Sequence, residues 1–466
     1  MASRQDQLHS YQFLVQRVVS ALVMRQTDPA QPPLGRAAGA TLAGVLVAAI
    51  ALGAVAVYGL VVGGGDAGWR DSGAVLVEKE SGARYVYRDG KLHPVRNFAS
   101  ALLIADSAEP RTVLVSRAAL AGVPRGIPLG IADAPDSLPV PQRLVADGWT
   151  VCSMSAADAA RSAGLPAPGG PGPRSALLVG AADPGGTALA GAGVLARHPD
   201  GSLHLIWDGR RHPVRNPRLV LAALTWTSHR PTETAPALLN ALPVGADLGR
   251  VAVPGRGERS TVDGAGVGEV FMVESQGGGR QYAVATRDGL ATITELQADL
   301  ILTDLGQDAP TPLSQNRFAG LRKVGDLVPP GPTALPASTP DLVPAGSGAV
   351  CGRVRDDGAG FELRTGADVP DLTGAVPGPG GAADHVWVQP GRGAVVEAVP
   401  APGASGGAIS IVTDLGRRHP VTSAEVLRRL GYGGVTPARL PAGLVALVPA
   451  GRALDPEAAL APAVPG

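Results

Sequence analysis

From Ala37 to Val62 the chain carries no charged side chain, and the run is bounded by Arg36 before it and by Asp66, Arg70 and Asp71 after it. As a helix rising about 1.5 Å per residue, such a run reaches roughly 39 Å. The hydrocarbon core of a bilayer is about 30 Å thick, so the pattern predicts a tilted membrane-spanning helix rather than a buried core helix. A cleaved signal peptide is the competing reading. Its charged region is short and its apolar core runs to about 7–15 residues. Here a head of residues 1–36 precedes an apolar core about twice that size, which reads as an uncleaved signal anchor. Within the head, Tyr11, Leu14, Val15, Val18 and Leu22 recur at helical spacing while Gln12, Gln16, Arg17 and Ser20 fall elsewhere. Asp28-Pro29 and Pro32-Pro33 are the expected end of that helix. Tyr11, Leu14, Val18 and Leu22 form the candidate docking face, for a partner or for the inner membrane surface. A short helix with no specific partner is the alternative. Arg4, Arg17, Arg25 and Arg36 outnumber Asp6 and Asp28 in the head. Basic residues are retained on the cytoplasmic side, so the head is expected inside and the larger C-terminal part outside.

Beyond the span, short apolar runs alternate with turn signals, and one arrangement recurs. Ala74 to Asn97 reads AVLVEKESGARYVYRDGKLHPVRN, and Gly193 to Asn216 reads GVLARHPDGSLHLIWDGRRHPVRN. The two align without a gap and share the whole HPVRN segment. Weaker copies run from Glu269 to Leu302 and from Val395 to Leu430, the latter with RRHPV at Arg417 to Val421. Each copy predicts two strands around a Gly-containing turn, then a third strand, then a short apolar helix. Asp89-Gly90, Asp208-Gly209 and Asp288-Gly289 are expected as two-residue hairpin turns, because both central positions favour positive φ. Asn97, Asn216, Thr294 and Thr422 are the expected helix caps, with Pro217 at the first helical position and capping boxes at Thr294–Gln297 and Thr422–Glu425. One such unit cannot bury its apolar face alone, so the copies must pack together or on a central scaffold.

Composition supports many short elements: of 466 residues, 64 are Gly and 43 are Pro. Lys and Arg number 40 against 40 Asp and Glu, which gives no electrostatic footprint for nucleic acid. Two stretches fall outside the repeats, residues 140–190 with Cys152 and residues 309–394 with Cys351. The run from Gly164 to Arg174 is expected to be a mobile loop. Two cysteines allow one intramolecular pairing, and an exported compartment permits it. Two free thiols are the alternative.

Chemistry-bearing motifs are scarce. No Gly-Lys pair precedes Ser or Thr, so the common phosphate-cradling loop is missing, and no G-x-G-x-x-G stands between a strand and a helix. Gly403 to Gly407 matches G-x-S-x-G, but the repeat alignment puts Ser405 between two strands, whereas a nucleophile elbow needs a strand-to-helix turn. His93, His212 and His419 recur with the repeat and read as structural hydrogen-bonding groups rather than metal or acid–base sites. Arg96 and Arg215 read as fold-internal ion-pair partners. No catalytic residue, metal site or cofactor is expected.

The head YQFLVQRVVSALVMRQTDP (Tyr11 to Pro29), the single span, the HPVRN-bearing repeats and the lone cysteine pair together resemble EccB, the membrane core component of actinobacterial type VII (ESX) secretion systems. The resemblance covers nearly the whole chain. It implies an α+β, β-rich, single-pass protein whose elongated extracytoplasmic region holds four β-β-β-α repeats around a central disulfide-linked β domain. It also implies assembly with EccC, EccD and EccE and with further copies of itself. The organisation reads as a cytoplasmic head at 1–36, a transmembrane helix at 37–62, repeat 1 at 63–139, and a central domain from 140–190 and 309–394. Repeat 2 takes 191–258, repeat 3 takes 259–308, and repeat 4 with a C-terminal tail takes 395–466. The leading function is a structural subunit in the plasma membrane, N-terminus cytoplasmic. An extracytoplasmic nucleotide hydrolase with an unfamiliar site and a cell-wall-binding module are the alternatives.

Overall fold

The structure is a computed structural model that describes residues 3–25, 35–63, 69–164, 172–275, 277–356, 358, 360–368, 371–401 and 403–463. It divides into two compact units, residues 1–71 with 117–121, and residues 72–116 with 122–466.

In the first unit, α1 (Arg4–Met24) begins at a closed capping box. Ser3 Oγ accepts from Asp6 N at 3.3 Å, and Asp6 Oδ2 accepts from Ser3 N at 3.1 Å. The helix ends at Arg25, in the left-handed region at φ 54°. The stop signals expected at Asp28-Pro29 and Pro32-Pro33 lie outside the described residues. Helix α2 (Gly35–Gly63) follows, with 29 residues. Among the described residues it is the one helix long and apolar enough to cross a membrane.

Among the described residues, the second unit holds five sheets. Four of them share one order of four strands, to which the third adds a fifth strand at its edge, and each with its helix is termed a module here. In the first module, strands Ala74–Glu78, Arg84–Arg88 and Lys91–Pro94 form an antiparallel meander, and helix Phe98–Ile104 follows. A fourth strand, Arg111–Val115, then returns parallel to the first. The same return is made by Thr232–Glu233, Thr311–Pro312 and Ala438–Pro441. The unit is therefore β-β-β-α-β, one strand longer than the sequence pattern predicts. The short return strands carry too few residues to show alternation. Registers correspond throughout: Val75, Leu195, Val270 and Val395 face Val86, Leu205, Val284 and Ile411, which face His93, His212, Ala291 and His419.

Local expectations meet the structure unevenly. Asp89-Gly90 and Asp208-Gly209 have the positive φ values of a two-residue hairpin (51°, 74° and 44°, 71°). The third turn is displaced by one residue. Thr286 pairs with Gly289, so Arg287 and Asp288 make the turn and Gly289 opens the strand, pressed against the Arg322 backbone where a Cβ has no room. Asn97 Oδ1 caps Ser100 N at 2.9 Å, and Thr294 with Gln297 closes a capping box. Asn216 sits at the cap position with left-handed backbone and no side-chain bond, ahead of Pro217. In the fourth module the cap is Ser423, whose Oγ accepts from Val426 N at 3.2 Å, and not Thr422. The expected Thr422–Glu425 box gives way because Glu425 pairs instead with Arg428 and Arg429.

The fifth sheet is central. Its seven strands run Val376–Pro377, His385–Val388, Arg174–Val179, Thr150–Met154, Ala349–Val354, Phe361–Ala367 and Thr187–Ala188. Period-2 alternation divides it. Val151, Leu177 and Val350 enter a core shared with the second and fourth modules, while Cys152, Leu178 and Cys351 enter a separate core on the other face. Elsewhere, helix Phe98–Ile104 of the first module packs with Val426, Leu427 and Tyr432 of the fourth. Val220 and Leu224 of the second pack with Leu296 and Leu300 of the third. The C-terminal tail returns to the first module, where Ala463 N donates to Pro128 O at 2.8 Å and Gly130 N to Ala461 O at 3.2 Å. Thr311–Pro312 and Lys323–Asp326, assigned from sequence to the central domain, pair instead into the third module's sheet. Of the run read as a mobile loop, 165–171 lies outside the described residues. Gly164 caps the preceding helix, and Arg174 starts a strand and pairs with Asp384 at 3.2 Å.

Candidate functional site

The repeated histidines lie in seams built from two distant segments. His93 Nδ1 is 3.0 Å from Ile127 O, His212 Nδ1 2.9 Å from Ala246 O, and His419 Nδ1 3.1 Å from Arg452 O. A carbonyl only accepts, so Nδ1 carries the proton in each ring. Burial lowers the pKa of His212 and of His419, which keeps both neutral. Each ring stacks over a glycine, Gly126, Gly245 or Gly451, on which a Cβ would overlap the imidazole. These glycines belong to a recurring P-x-G-x-x-L, at Pro124–Leu129, Pro243–Leu248 and Pro449–Leu454. Sequence reasoning missed this motif, although its spacing after each HP pair was legible. In the third module Ala291 stands at the histidine position and the seam is a strand, Lys323–Asp326, whose register shifts between Leu290 and Thr292.

The seams tie distant segments of the fold together, and they make a test. Gly245→Ala is expected to destabilise the protein by about 2–3 kcal/mol through overpacking against His212. Adding His212→Ala should recover part of that loss, measured as a positive coupling in guanidinium unfolding. Purely additive losses would show that ring and glycine do not oppose each other. Arg215 Nε lies 3.0 Å from Asp247 Oδ2, with both side chains more than half exposed, so this ion pair contributes little.

The Gly403–Gly407 segment turns between strands Ala394–Val399 and Ala408–Val412, with Gly407 N donating to Glu397 Oε1 at 2.9 Å. No helix follows it, so Ser405 has no nucleophile-elbow geometry. Cys152 and Cys351 are bonded directly across neighbouring antiparallel strands, with Cα atoms 4.0 Å apart. Both are buried.

Helix α1 carries the remaining candidate surface. Tyr11, Leu14, Val18 and Leu22 are 70%, 63%, 50% and 78% exposed, so this face is left for something else to cover. Leu8, absent from the sequence reading, is also exposed. It completes a stripe of Leu8, Tyr11, Val15, Val18 and Leu22 at alternating spacings of three and four, the spacing of a helix that packs lengthwise on another helix.

Residues 1–465 match the family described as type VII secretion system ESX-1, transport TM domain B. The chain belongs to this EccB family. The ESX-3 secretion system ATPase EccB3 of Mycolicibacterium smegmatis is 29% identical, across 96% of this chain and 88% of that protein. The ESX-2 secretion system ATPase EccB2 of Mycobacterium tuberculosis is 33% identical over 51% of this chain and 47% of its own length. Among solved structures, a chain of an intact ESX-5 inner membrane complex superposes with a TM-score of 0.65 at 25% identity, covering 100% of this chain and 96% of that one. An EccB3 dimer from the ESX-3 core complex gives 0.63 at 27% identity, covering 83% and 100%. The EccB resemblance drawn from the head, the repeats and the cysteine pair thus stands over the full length of the chain.

Proposed function

We propose that this chain is the membrane-anchored structural subunit of a type VII (ESX) secretion complex, with its head in the cytoplasm, one membrane pass and the five sheets outside. The observation that carries this reading is one membrane-length helix among the described residues, set in the sequence between a short basic head and a large body in which four sheets repeat one strand order around a fifth. The four modules are read as four copies of one unit arranged on the central disulfide-bonded sheet. Such a body offers extended surface for lateral contacts. EccC, EccD and EccE, and further copies of the chain, are the partners assigned to it. The solved relatives lie in an ESX inner membrane complex and in a dimer, which supports a role in assembly at the inner membrane.

Orientation is the first thing to test. Alkaline phosphatase fused after Gly466 should be active, because arginines dominate the head and retain it inside. A stably expressed but inactive fusion would place the body in the cytoplasm and end the proposal.

A further inference from the structure

In all four modules the outer side of the third strand is closed by main chain. Leu92 N donates to Pro124 O at 2.8 Å, Arg211 N to Pro243 O at 3.0 Å, Leu290 N to Arg322 O at 2.8 Å and Arg418 N to Pro449 O at 2.9 Å. The return strand lies toward the other edge of each sheet. Thr232–Glu233 and Thr311–Pro312 have two residues each and offer little to pair. Against Ala438–Pro441 lies the turn holding Gly358, where a Cβ would stand 2.7 Å from Arg439 O. Arg111–Val115 is the longest return strand, and its sheet ends there. An open edge is a template for a further strand, which proteins blunt with Pro, Lys or a bulge. The sequence RTVLV has neither residue, and its register with the first strand is unbroken.

The register says which groups are open. Val115 O accepts from Lys79 N at 2.9 Å, so the N–H and C=O of Val115, and of Val113 two residues before it, point at the first strand. Those of Thr112 and Leu114 point away, and among the described residues nothing bonds them. Thr112 stands opposite Val75, so its side chain is on the sheet face that packs on helix Phe98–Ile104. Leu114 shares that face by period 2 and is 62% exposed. At the Thr112 end the edge opens into a cleft of about 490 Å³, lined by Phe98, Leu102, Leu138 and Val140.

We infer that an extended segment of another protein adds to Arg111–Val115 as a further strand, with a large apolar side chain in the cleft and a second apolar one on Leu114. Residues paired across two strands share a face, so the residue opposite Thr112 drops its side chain into the cleft and the residue opposite Leu114 covers that leucine. The occupant thus carries two apolar residues separated by one. Main-chain hydrogen bonds hold it and the cleft selects it. The edges of the sister sheets show that main chain is what closes such a position in this fold. The cleft takes the side chains of one slender strand, whereas the folded body of a second copy meets its far wall at Pro139 and Pro141. This deepens, and rests on, the reading of the body as a surface for lateral contacts.

The test uses the full-length chain in detergent and a fluorescent blocked peptide, SFTVTFS, which reads alike in both directions. Anisotropy titration should show saturable binding. Serine in place of both phenylalanines should weaken it about tenfold or more, since the cleft is left unfilled. N-methylation of the phenylalanine and valine amides removes the donors that face the edge in an antiparallel pair, and N-methylation of the threonines those that face it in a parallel pair. One set should abolish binding and the other should spare it. Leu114→Pro removes an outward N–H at an edge, where proline is tolerated, and should weaken binding roughly fivefold in a protein that melts like the parent. Val140→Lys, which charges the cleft wall at a residue that is 55% exposed, should weaken it at least as much. No binding at millimolar peptide overturns the inference, as does binding indifferent to both methylated sets or to both variants. A Val113→Cys chain that crosslinks to its own copy in membranes would give the edge to that copy and overturn it too. A chain that assembles and secretes normally yet fails these titrations loses this edge alone, and the assembly reading stands.

Discussion

Leu14→Asp combined with Val18→Asp is expected to abolish recovery of the chain with the other membrane components, and with it secretion. Both side chains are at least half exposed on α1, so the change costs the isolated helix little: about 0.7 kcal/mol or less per residue in propensity. Once a partner covers that face, each aspartate is an unpaired charge removed from water. A buried unpaired charge costs on the order of 3–5 kcal/mol. Two of them correspond to a loss of affinity of about a thousandfold or more. Affinity purification from solubilised membranes measures the effect, with Gln16→Asp on another face of α1 as the control. The variant should still insert, because α2 is unchanged. Normal co-purification and secretion by the double variant would reduce the head to a topogenic leader.

Removal of the disulfide should give the second large effect. Cys152 and Cys351 are separated by 199 residues in sequence and lie opposite each other in the central sheet. On the chain-entropy model a cross-link closing so long a loop stabilises by about 4–5 kcal/mol. Every residue of the second and third modules lies inside that loop, so the unfolded chain gains freedom across two modules when it opens. Cys152→Ala with Cys351→Ala should therefore lower the guanidinium midpoint strongly and make the body protease-sensitive at temperatures the parent survives. An unfolding free energy within about 1 kcal/mol of the parent would mean that the sheet contacts alone hold the two strands together.

Much of this architecture was legible because its signals are local. The meander strands follow from apolar runs between Asp-Gly turns, and Asn97 and Thr294 declare helix starts within a few residues. The chemistry of the seams was not legible in the same way. His212 is explained by Gly245, which reaches it only after two helices and a return strand, and a glycine in a chain with 64 of them carries little weight by itself. Thr311–Pro312 and Lys323–Asp326 were misassigned because strands of two and four residues show no periodicity and take their identity from the sheet edges they join.

The packing of the first module on the fourth, closed by the tail at Pro128 and Gly130, bears on how the protein reaches its native state. In the proposed orientation the chain crosses the membrane from residue 63 onward, so the first module emerges before the fourth exists. Its helix and the segment after it then face solvent without their partners until residue 463 has crossed. Contacts between chain ends carry the greatest loop-closure cost and form late. Export of this protein is thus not a succession of finished modules, because the last residues across complete the first element made, and an incompletely translocated chain keeps an apolar surface open to proteases and to its neighbours.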